Sequence, residues 1–156
     1  MDISVVSAQN RLEALEIKAK NAPINADAEL QSQIARFLCV LASGLIEQAV
    51  ISLLDDYVRA RSQARVQRYA GYQISRLQNA KFEDILKLVG RFDPAWRTHL
   101  ESDTSDEVKS AIDSIVNNRN QIAHGKQVNI SLGTFSGYYL RVKIFLVNLE
   151  VFLQTQ

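Results

Sequence analysis

Residues 104–125, TSDEVKSAIDSIVNNRNQIAHG, have the pattern of one amphipathic helix with a start signal and an end signal. Thr104 followed by Glu107 fits a capping box, in which a hydroxyl and a carboxylate each satisfy a free backbone N–H group. Gly125 fits the position just beyond a helix, where the backbone turns left-handed. Apolar residues recur at helical spacing between these ends and predict a buried stripe, formed by Val108, Ala111, Ile112, Ile115, Ile122 and Ala123.

A charged residue, Arg119, interrupts this stripe. At about 100° per residue, Arg119 falls close to the line of Ile115 and Ile122, where a buried guanidinium is costly unless a partner compensates it. Asn120 and His124 share the neighbouring edge of the helix, about 40° apart. One helix end is therefore expected to present a fixed cation, an amide and a group that can carry a proton.

The run from Arg119 to His124, Arg-Asn-Gln-Ile-Ala-His, resembles the Arg-x(4–6)-His signature of the HEPN superfamily in its Arg-Asn-x-x-x-His form. The resemblance extends over most of the chain and is to the HEPN subgroup that accompanies ribonuclease-like toxin systems. The other segments that resemble this subgroup are the apolar helix around Leu38 to Leu54, the stretch from Gln78 to Leu86 leading to Phe92 and Trp96, and the long last helix.

Length and composition predict a single all-α domain over residues 1–156, and the resemblance implies a HEPN-like bundle with a long buried second helix and a long C-terminal helix. Two prolines and six glycines interrupt a chain dominated by aliphatic residues at helical spacing. The formal net charge of +1 gives no global attraction to nucleic acid or membranes, so such binding would need a local patch. The single cysteine, Cys39, excludes an internal disulfide and a multi-cysteine zinc site, and we expect it to be buried.

The sequence also bears on localisation. The N-terminal residues lack a basic region followed by a long apolar run, so no signal peptide is expected. The most apolar stretch, Phe37 to Ile46, is about half of the roughly 20 residues that a membrane span needs. We therefore expect a cytoplasmic protein without membrane contact.

Apolar periodicity and turn residues predict helices on both sides of the central one. A first helix is expected over residues 2–20, and a connection containing Pro23 should follow it. The second helix is expected to run from Asp27 to about Tyr57, and a short helix from a cap at Asn79 to Gly90. Asp93-Pro94 should begin a segment that carries a core Trp96 and a His99 that lies on the surface or caps a helix. Ser131 or Thr134 is expected to cap the last helix.

Glu47 is an exception in the apolar second half of the second helix. One interpretation is a charge on a narrow solvent-facing side of that helix. The other is an ion-pair partner for Arg119. The sequence leaves both open.

A basic segment runs from Tyr57 to Lys81 without an acidic residue. Arginines can neutralise phosphates and tyrosine rings can stack on bases, so this segment is a candidate RNA-binding surface. The alternative is a solvated helix whose arginines pair with acids elsewhere, such as Asp55, Asp56 and Glu83. The candidate RNA-binding residues are Arg59, Arg61, Arg65, Arg68, Tyr72 and Arg76.

RNA cleavage needs a base for the ribose 2′-hydroxyl, an acid for the departing 5′-oxygen and a cation for the pentavalent phosphate. HEPN proteins typically dimerise, so that the motifs of two chains face one cleft. The resemblance therefore implies His124 as base in one protomer and acid in the other, Arg119 as stabiliser of the phosphate charge, and Asn120 as the residue that orients phosphate or histidine. It implies no metal or other cofactor, and products ending in a 2′,3′-cyclic phosphate.

Three functions remain open at this point. The first is a metal-independent HEPN endoribonuclease acting as a homodimer, as a toxin or a stress or phage-defence effector, with a cognate antitoxin protein as a further partner. The second is a catalytically inactive HEPN dimer that binds RNA or a cognate protein. The third is a helical interaction module unrelated to RNA, which would show no salt-dependent RNA binding. The motif itself also has a purely structural interpretation, in which a salt bridge holds Arg119 in the core and His124 only caps carbonyls.

Overall fold

The computed structural model describes residues 2–22 and 27–156, and this part of the chain contains seven α-helices and no strand. The predicted all-α fold is confirmed. The helices are α1 (Ile3–Asn21), α2 (Ala28–Arg61), α3 (Ala64–Ile74), α4 (Phe82–Gly90), α5 (Pro94–Asp103), α6 (Asp106–Ala123) and α7 (Leu132–Gln154).

Short polar side chains start three of these helices at the predicted residues. The Asp27 carboxylate accepts hydrogen bonds from the backbone N–H groups of Glu29 and Leu30, and Ser131 accepts one from Thr134. Asp93 caps α5 in the same way, with Pro94 at the first helical position. The helix α2 runs to Arg61, past the predicted end at Tyr57. The connection containing Pro23 lies outside the described residues.

The long helix α2 forms the centre of the bundle and packs against α1, α3, α6 and α7. By length and composition alone, α2 could cross a membrane, because its most apolar 18-residue window has a mean hydropathy of 2.0. The apolar part of α2 is therefore longer than the predicted stretch from Phe37 to Ile46. More than half of this window is buried, as expected for a helix surrounded by others. Its fully buried residues include Leu38, Ile46, Val50 and Leu54.

An aromatic cluster joins α2, α5 and α7. The Trp96 ring, 8% exposed, lies edge-on to Tyr57 at 5.0 Å and to Phe152 at 5.7 Å between ring centroids. His99 is exposed and stacks on Phe152 at 4.7 Å. The predictions of a core Trp96 and a surface His99 are thus confirmed.

The predicted capping box of Thr104 and Glu107 is wrong, and no side-chain capping hydrogen bond replaces it at the start of α6. Thr104 ends α5, because its backbone N–H donates to Leu100, and Ser105 is the N-cap of α6. Glu107 hydrogen-bonds to the Ser105 hydroxyl and to its own backbone N–H, and these contacts lower the pKa of the Glu107 carboxyl.

The buried stripe of α6 is largely as predicted. Ala111, Ile112 and Ile115 are buried, and Val108 and Ile122 pack half-buried against the core. The prediction for Ala123 is wrong, since it is exposed in the last turn, and Val116 is buried instead.

Candidate active site at the end of α6

Asn79 lies in the connection between α3 and α4, close to the Arg119 side chain. Its backbone φ of +52° is left-handed, a conformation that asparagine adopts more readily than most residues. Its backbone N–H donates to Glu47 Oε1 at 2.7 Å, and its carbonyl oxygen accepts from the Lys81 N–H at 2.6 Å. These contacts hold the Asn79 backbone on both sides.

This arrangement corrects the prediction that Asn79 caps α4. The N-cap of α4 is Lys81, which makes no capping hydrogen bond through its side chain. The free backbone N–H of Phe82 instead donates to Asp113 Oδ1 on α6 at 2.8 Å. The Asn79 side chain is therefore available for a different contact.

That contact is with Arg119. Arg119 Nη1 donates to Asn79 Oδ1 and to Asn120 Oδ1, both at 3.1 Å. Both acceptors are neutral, and no carboxylate in residues 2–22 and 27–156 forms an ion pair with this half-buried guanidinium. The three N–H donors on Nη2 and Nε are not used by these contacts. Arg119 thus keeps its full charge and much of the fork that binds phosphate oxygens.

Glu47 has a role that differs from both interpretations of the sequence. It is half-buried, so it is not simply a solvated charge, and it accepts a hydrogen bond from the Asn79 backbone. Its link to Arg119 therefore passes through Asn79 and leaves the arginine charge unpaired.

His124 is the C-cap of α6, with an exposed side chain. The carbonyls of the last turn are already satisfied by backbone groups: Gly125 N–H donates to Ile122 at 3.0 Å and Lys126 N–H donates to Gln121 at 2.9 Å. Gly125 has the positive φ, +70°, that this helix ending requires, as predicted. The imidazole is consequently not needed as a cap and is open to solvent and ligands.

The predicted RNA-binding residues separate into two groups. Arg61 and Arg76 line a cavity bounded by the end of α2, by α3 and by α4. The other four are exposed and lie outside this lining, namely Arg59, Arg65, Arg68 and Tyr72.

The acids proposed as alternative partners for these arginines behave differently from one another. Glu83 pairs with Arg97 of α5 at 3.0 Å, so the proposed pairing of Glu83 with the basic segment is wrong. Burial raises the pKa of the Asp55 carboxyl, although the charge of Arg59 opposes this rise.

Two basic residues of the cavity were missed in the sequence. Lys87 lies on α4 and Arg91 is the C-cap of that helix, four residues further on, and both side chains line the cavity. Their spacing was the available signal, but they lie beyond the basic segment and beside acidic Glu83 and Asp84.

Other catalytic groups are not apparent in the described residues. Burial raises the pKa of the Cys39 thiol to about 12, with Asn118 only partly opposing it, so Cys39 is a poor nucleophile at neutral pH. No group of three or more His, Cys, Asp or Glu side chains in this part of the chain is placed to hold a metal ion.

An all-α bundle with an Arg-Asn-x-x-x-His run at the end of a buried helix defines a helical protein of the HEPN class. The family model described as RiboL-PSP-HEPN matches residues 7–154, which include Arg119, Asn120 and His124. The chain therefore belongs to the RiboL-PSP-HEPN family. No curated protein and no solved structure matches it.

Proposed function

We propose that this protein is a metal-independent endoribonuclease that acts as a homodimer with a composite site of Arg119, Asn120 and His124. Membership of the HEPN family supports a nuclease or RNA-related role. The observation that carries the proposal is the Arg119 guanidinium, which neutral amides hold five residues before the exposed His124.

Arg119 would stabilise the phosphate in the transition state. Its unused Nη2 and Nε donors suit two phosphate oxygens, and its charge is not neutralised by a carboxylate in the described part of the chain. A cation fixed in advance where negative charge develops is the most effective form of electrostatic catalysis. Asn120, bonded to Arg119, would keep the guanidinium oriented.

His124 would move the protons. The neutral imidazole of one protomer takes the proton of the ribose 2′-hydroxyl, whose oxygen then attacks the adjacent phosphorus. The imidazolium of the second protomer gives a proton to the departing 5′-oxygen. The P–O5′ bond breaks, leaving a 2′,3′-cyclic phosphate on one fragment and a 5′-hydroxyl on the other. The proposed mechanism uses a base and an acid at the same time, so it takes one His124 from each of two copies.

An exposed apolar face of α2 borders this site and is the surface we propose for dimerisation. Phe37 is 52% exposed and Val40 is 39% exposed, and a side chain added at Gly44 would meet no atom within 4 Å. Val40 and Glu47 are seven residues apart and lie on nearly the same line of the helix. Since Glu47 anchors Asn79, a second copy docked here would approach Arg119.

The proposed setting is the cytoplasm, where the enzyme would act as a toxin or a stress or phage-defence effector with a cognate antitoxin. The alternative of a catalytically inactive dimer requires the same surface and the same Arg119 but no proton transfer. The two functions therefore differ in one measurable step.

The test is cleavage of mixed RNA in EDTA by the wild type and by His124→Ala, with analysis of the fragment ends. We expect cleavage by the wild type alone, leaving 2′,3′-cyclic phosphates. His99→Ala changes the other histidine, on α5, and should cleave like the wild type. Failure of the wild type to cut any RNA, with RNA binding retained, would favour the inactive dimer.

A further inference from the structure

A large cavity opens between the C-terminal end of α2, helix α3 and helix α4. Its volume is about 980 Å³. This is at the upper end of the range for small-ligand sites, roughly 300–1,000 Å³, and can admit unstacked nucleotides. We call it the α2–α4 groove. Its polar and aromatic lining includes Tyr57, Arg61, Tyr69, Arg76, Lys87 and Arg91.

The charge of the α2–α4 groove is strongly positive. Asp84 is the one acidic residue in the lining, and its Oδ1 lies 3.5 Å from Lys87 Nζ in the same helix. The three arginines come from different parts of the wall, and none forms an ion pair with a carboxylate in the described residues. On a chain with a formal net charge of +1, this is a local site for a polyanion.

Aromatic rings in the groove favour a nucleic acid over other polyanions. Tyr69 of α3 is 70% exposed, although a ring of this size is normally more buried. An exposed ring beside cations can stack on a base while the cations contact phosphates. In the part of the wall formed by α2, Arg61 lies 4.5 Å above the Tyr57 ring, which limits the freedom of its guanidinium.

The groove is also connected to the proposed active site. Its lining includes Gln78, and the next residue, Asn79, binds Arg119 at 3.1 Å. Consecutive Cα atoms are about 3.8 Å apart, so the groove ends beside the residue that holds the guanidinium. A nucleic-acid strand that lies in the groove could therefore continue to Arg119.

We infer that the α2–α4 groove binds the single-stranded RNA that flanks the scissile phosphate. This inference rests on the proposed function for its substrate. An A-form duplex would present paired bases and a convex backbone, which a concave wall with an exposed tyrosine cannot use for stacking. The bound chemistry is thus unpaired bases with their phosphates.

Binding is tested separately from cleavage by using His124→Ala as the parent protein in every assay. Affinity for a fluorescein-labelled oligouridine is measured by anisotropy in EDTA over a series of salt concentrations. Arg61→Ala with Arg91→Ala should weaken binding about tenfold or more and reduce the salt slope by roughly 1.4, about 0.7 for each lost phosphate contact. Tyr69→Ala should weaken binding about tenfold without changing the slope.

Two further pairs of substitutions make the test specific. Arg11→Ala with Lys18→Ala removes two exposed charges from α1 and should leave affinity nearly unchanged. Arg65→Ala with Arg68→Ala removes two exposed charges from α3 outside the groove. If this pair weakens binding as much as the groove pair, the groove is not the RNA site. Circular dichroism and melting curves verify that each variant is folded.

The remaining outcomes separate the groove from the nuclease. An acidic peptide that competes as well as an oligouridine of equal charge would overturn the RNA assignment and indicate a protein ligand. Groove variants that bind RNA normally, while the wild type cleaves RNA, would refute the groove and leave the nuclease intact. Groove-dependent binding together with an inactive wild type would refute the nuclease and support the groove.

Discussion

Asn79 Oδ1 accepts a hydrogen bond from Arg119 Nη1 at 3.1 Å, across 40 residues of sequence. The contact joins the α3–α4 connection to the end of α6. Because Glu47 holds the Asn79 backbone, the guanidinium is fixed by a chain of contacts that begins on the central helix. Asn79 is therefore expected to act as a positioning residue for Arg119.

Asn79→Gly tests this role, since glycine accepts a φ of +52° without strain but lacks Oδ1. We expect kcat for RNA cleavage to fall about 10- to 100-fold, because a small displacement of a catalytic group is costly, while KM changes less. The melting temperature should stay close to that of the wild type, since the turn is preserved. Steady-state kinetics and a melting curve measure both. A kcat equal to that of the wild type would show that Asn79 does not position Arg119.

Glu47→Gln and Glu47→Ala separate the hydrogen bond from the charge. Glutamine keeps an oxygen acceptor for the Asn79 N–H, whereas alanine removes it. We expect Glu47→Ala to lower the free energy of unfolding by only about 1 kcal/mol, because water can replace the lost acceptor at the exposed Asn79 N–H. Glu47→Gln should lower it by less than about half of that, because it keeps the acceptor. Urea denaturation measures the two values. Equal losses for both variants would mean that the charge, and not the acceptor, is what matters.

The sequence was sufficient where the determining residues are neighbours along the chain. Helical periodicity, Asp93-Pro94, Ser131 and Gly125 identified helices and their ends, because these signals act within one turn. The same is true of Arg119, Asn120 and His124, which one helix brings together. The error at Thr104 arose because two adjacent residues could each serve as the cap, and α5 continues up to the first of them.

The sequence was insufficient where the contact depends on tertiary structure. Glu47 lies 32 residues from Asn79, and the bond between them requires a left-handed asparagine that no local pattern indicates. The groove combines α2, α3 and α4, so only two of the six predicted RNA-binding residues, Arg61 and Arg76, line it.

The buried Cys39 should serve as a probe of unfolding. Burial raises the pKa of its thiol from 9.0 to about 12, which lowers the thiolate fraction near pH 8 roughly 1,000-fold. We expect very slow reaction with Ellman's reagent in the native protein and rapid reaction of one thiol in urea. Lys126→Cys introduces a thiol at an exposed position and controls for reagent activity. Rapid labelling of the native wild type would mean that the helices around α2 open readily.

Glu16 should make the protein less stable in acid. Burial opposes ionisation of its carboxyl, but the hydrogen bond from Lys20 at 2.6 Å and the charges of Lys20 and Lys143 outweigh burial and lower its pKa. The unfolded chain therefore binds a proton more readily than the folded one, so the stabilisation from Glu16 is present above the ordinary pKa of 4.5 and is lost as pH falls through the folded value.

The pH dependence of the unfolding of Glu16→Gln tests whether ionised Glu16 stabilises the folded protein. The variant should be less stable than the wild type at about pH 6, and the difference should shrink toward about pH 3. Glu101→Gln changes an exposed glutamate on α5 and should follow the wild type at every pH. A difference that is constant with pH would assign the effect to packing instead of ionisation.

The apolar face of α2 should control both dimerisation and cleavage. Phe37→Asp places a charge where we propose that two copies meet, so we expect a monomer in sedimentation experiments and loss of RNA cleavage, since neither protomer then has a second His124. The matched control is Val147→Asp on α7, where the side chain is 56% exposed and belongs to a separate apolar stripe with Leu140, Ile144 and Val151. Because both positions are already exposed, neither substitution should unfold the bundle.

Monomer formation by Val147→Asp alone would move the interface to α7 and away from Arg119. A monomeric Phe37→Asp variant that still cleaves RNA would contradict the need for two histidines, since a single His124 would then be sufficient for both proton transfers.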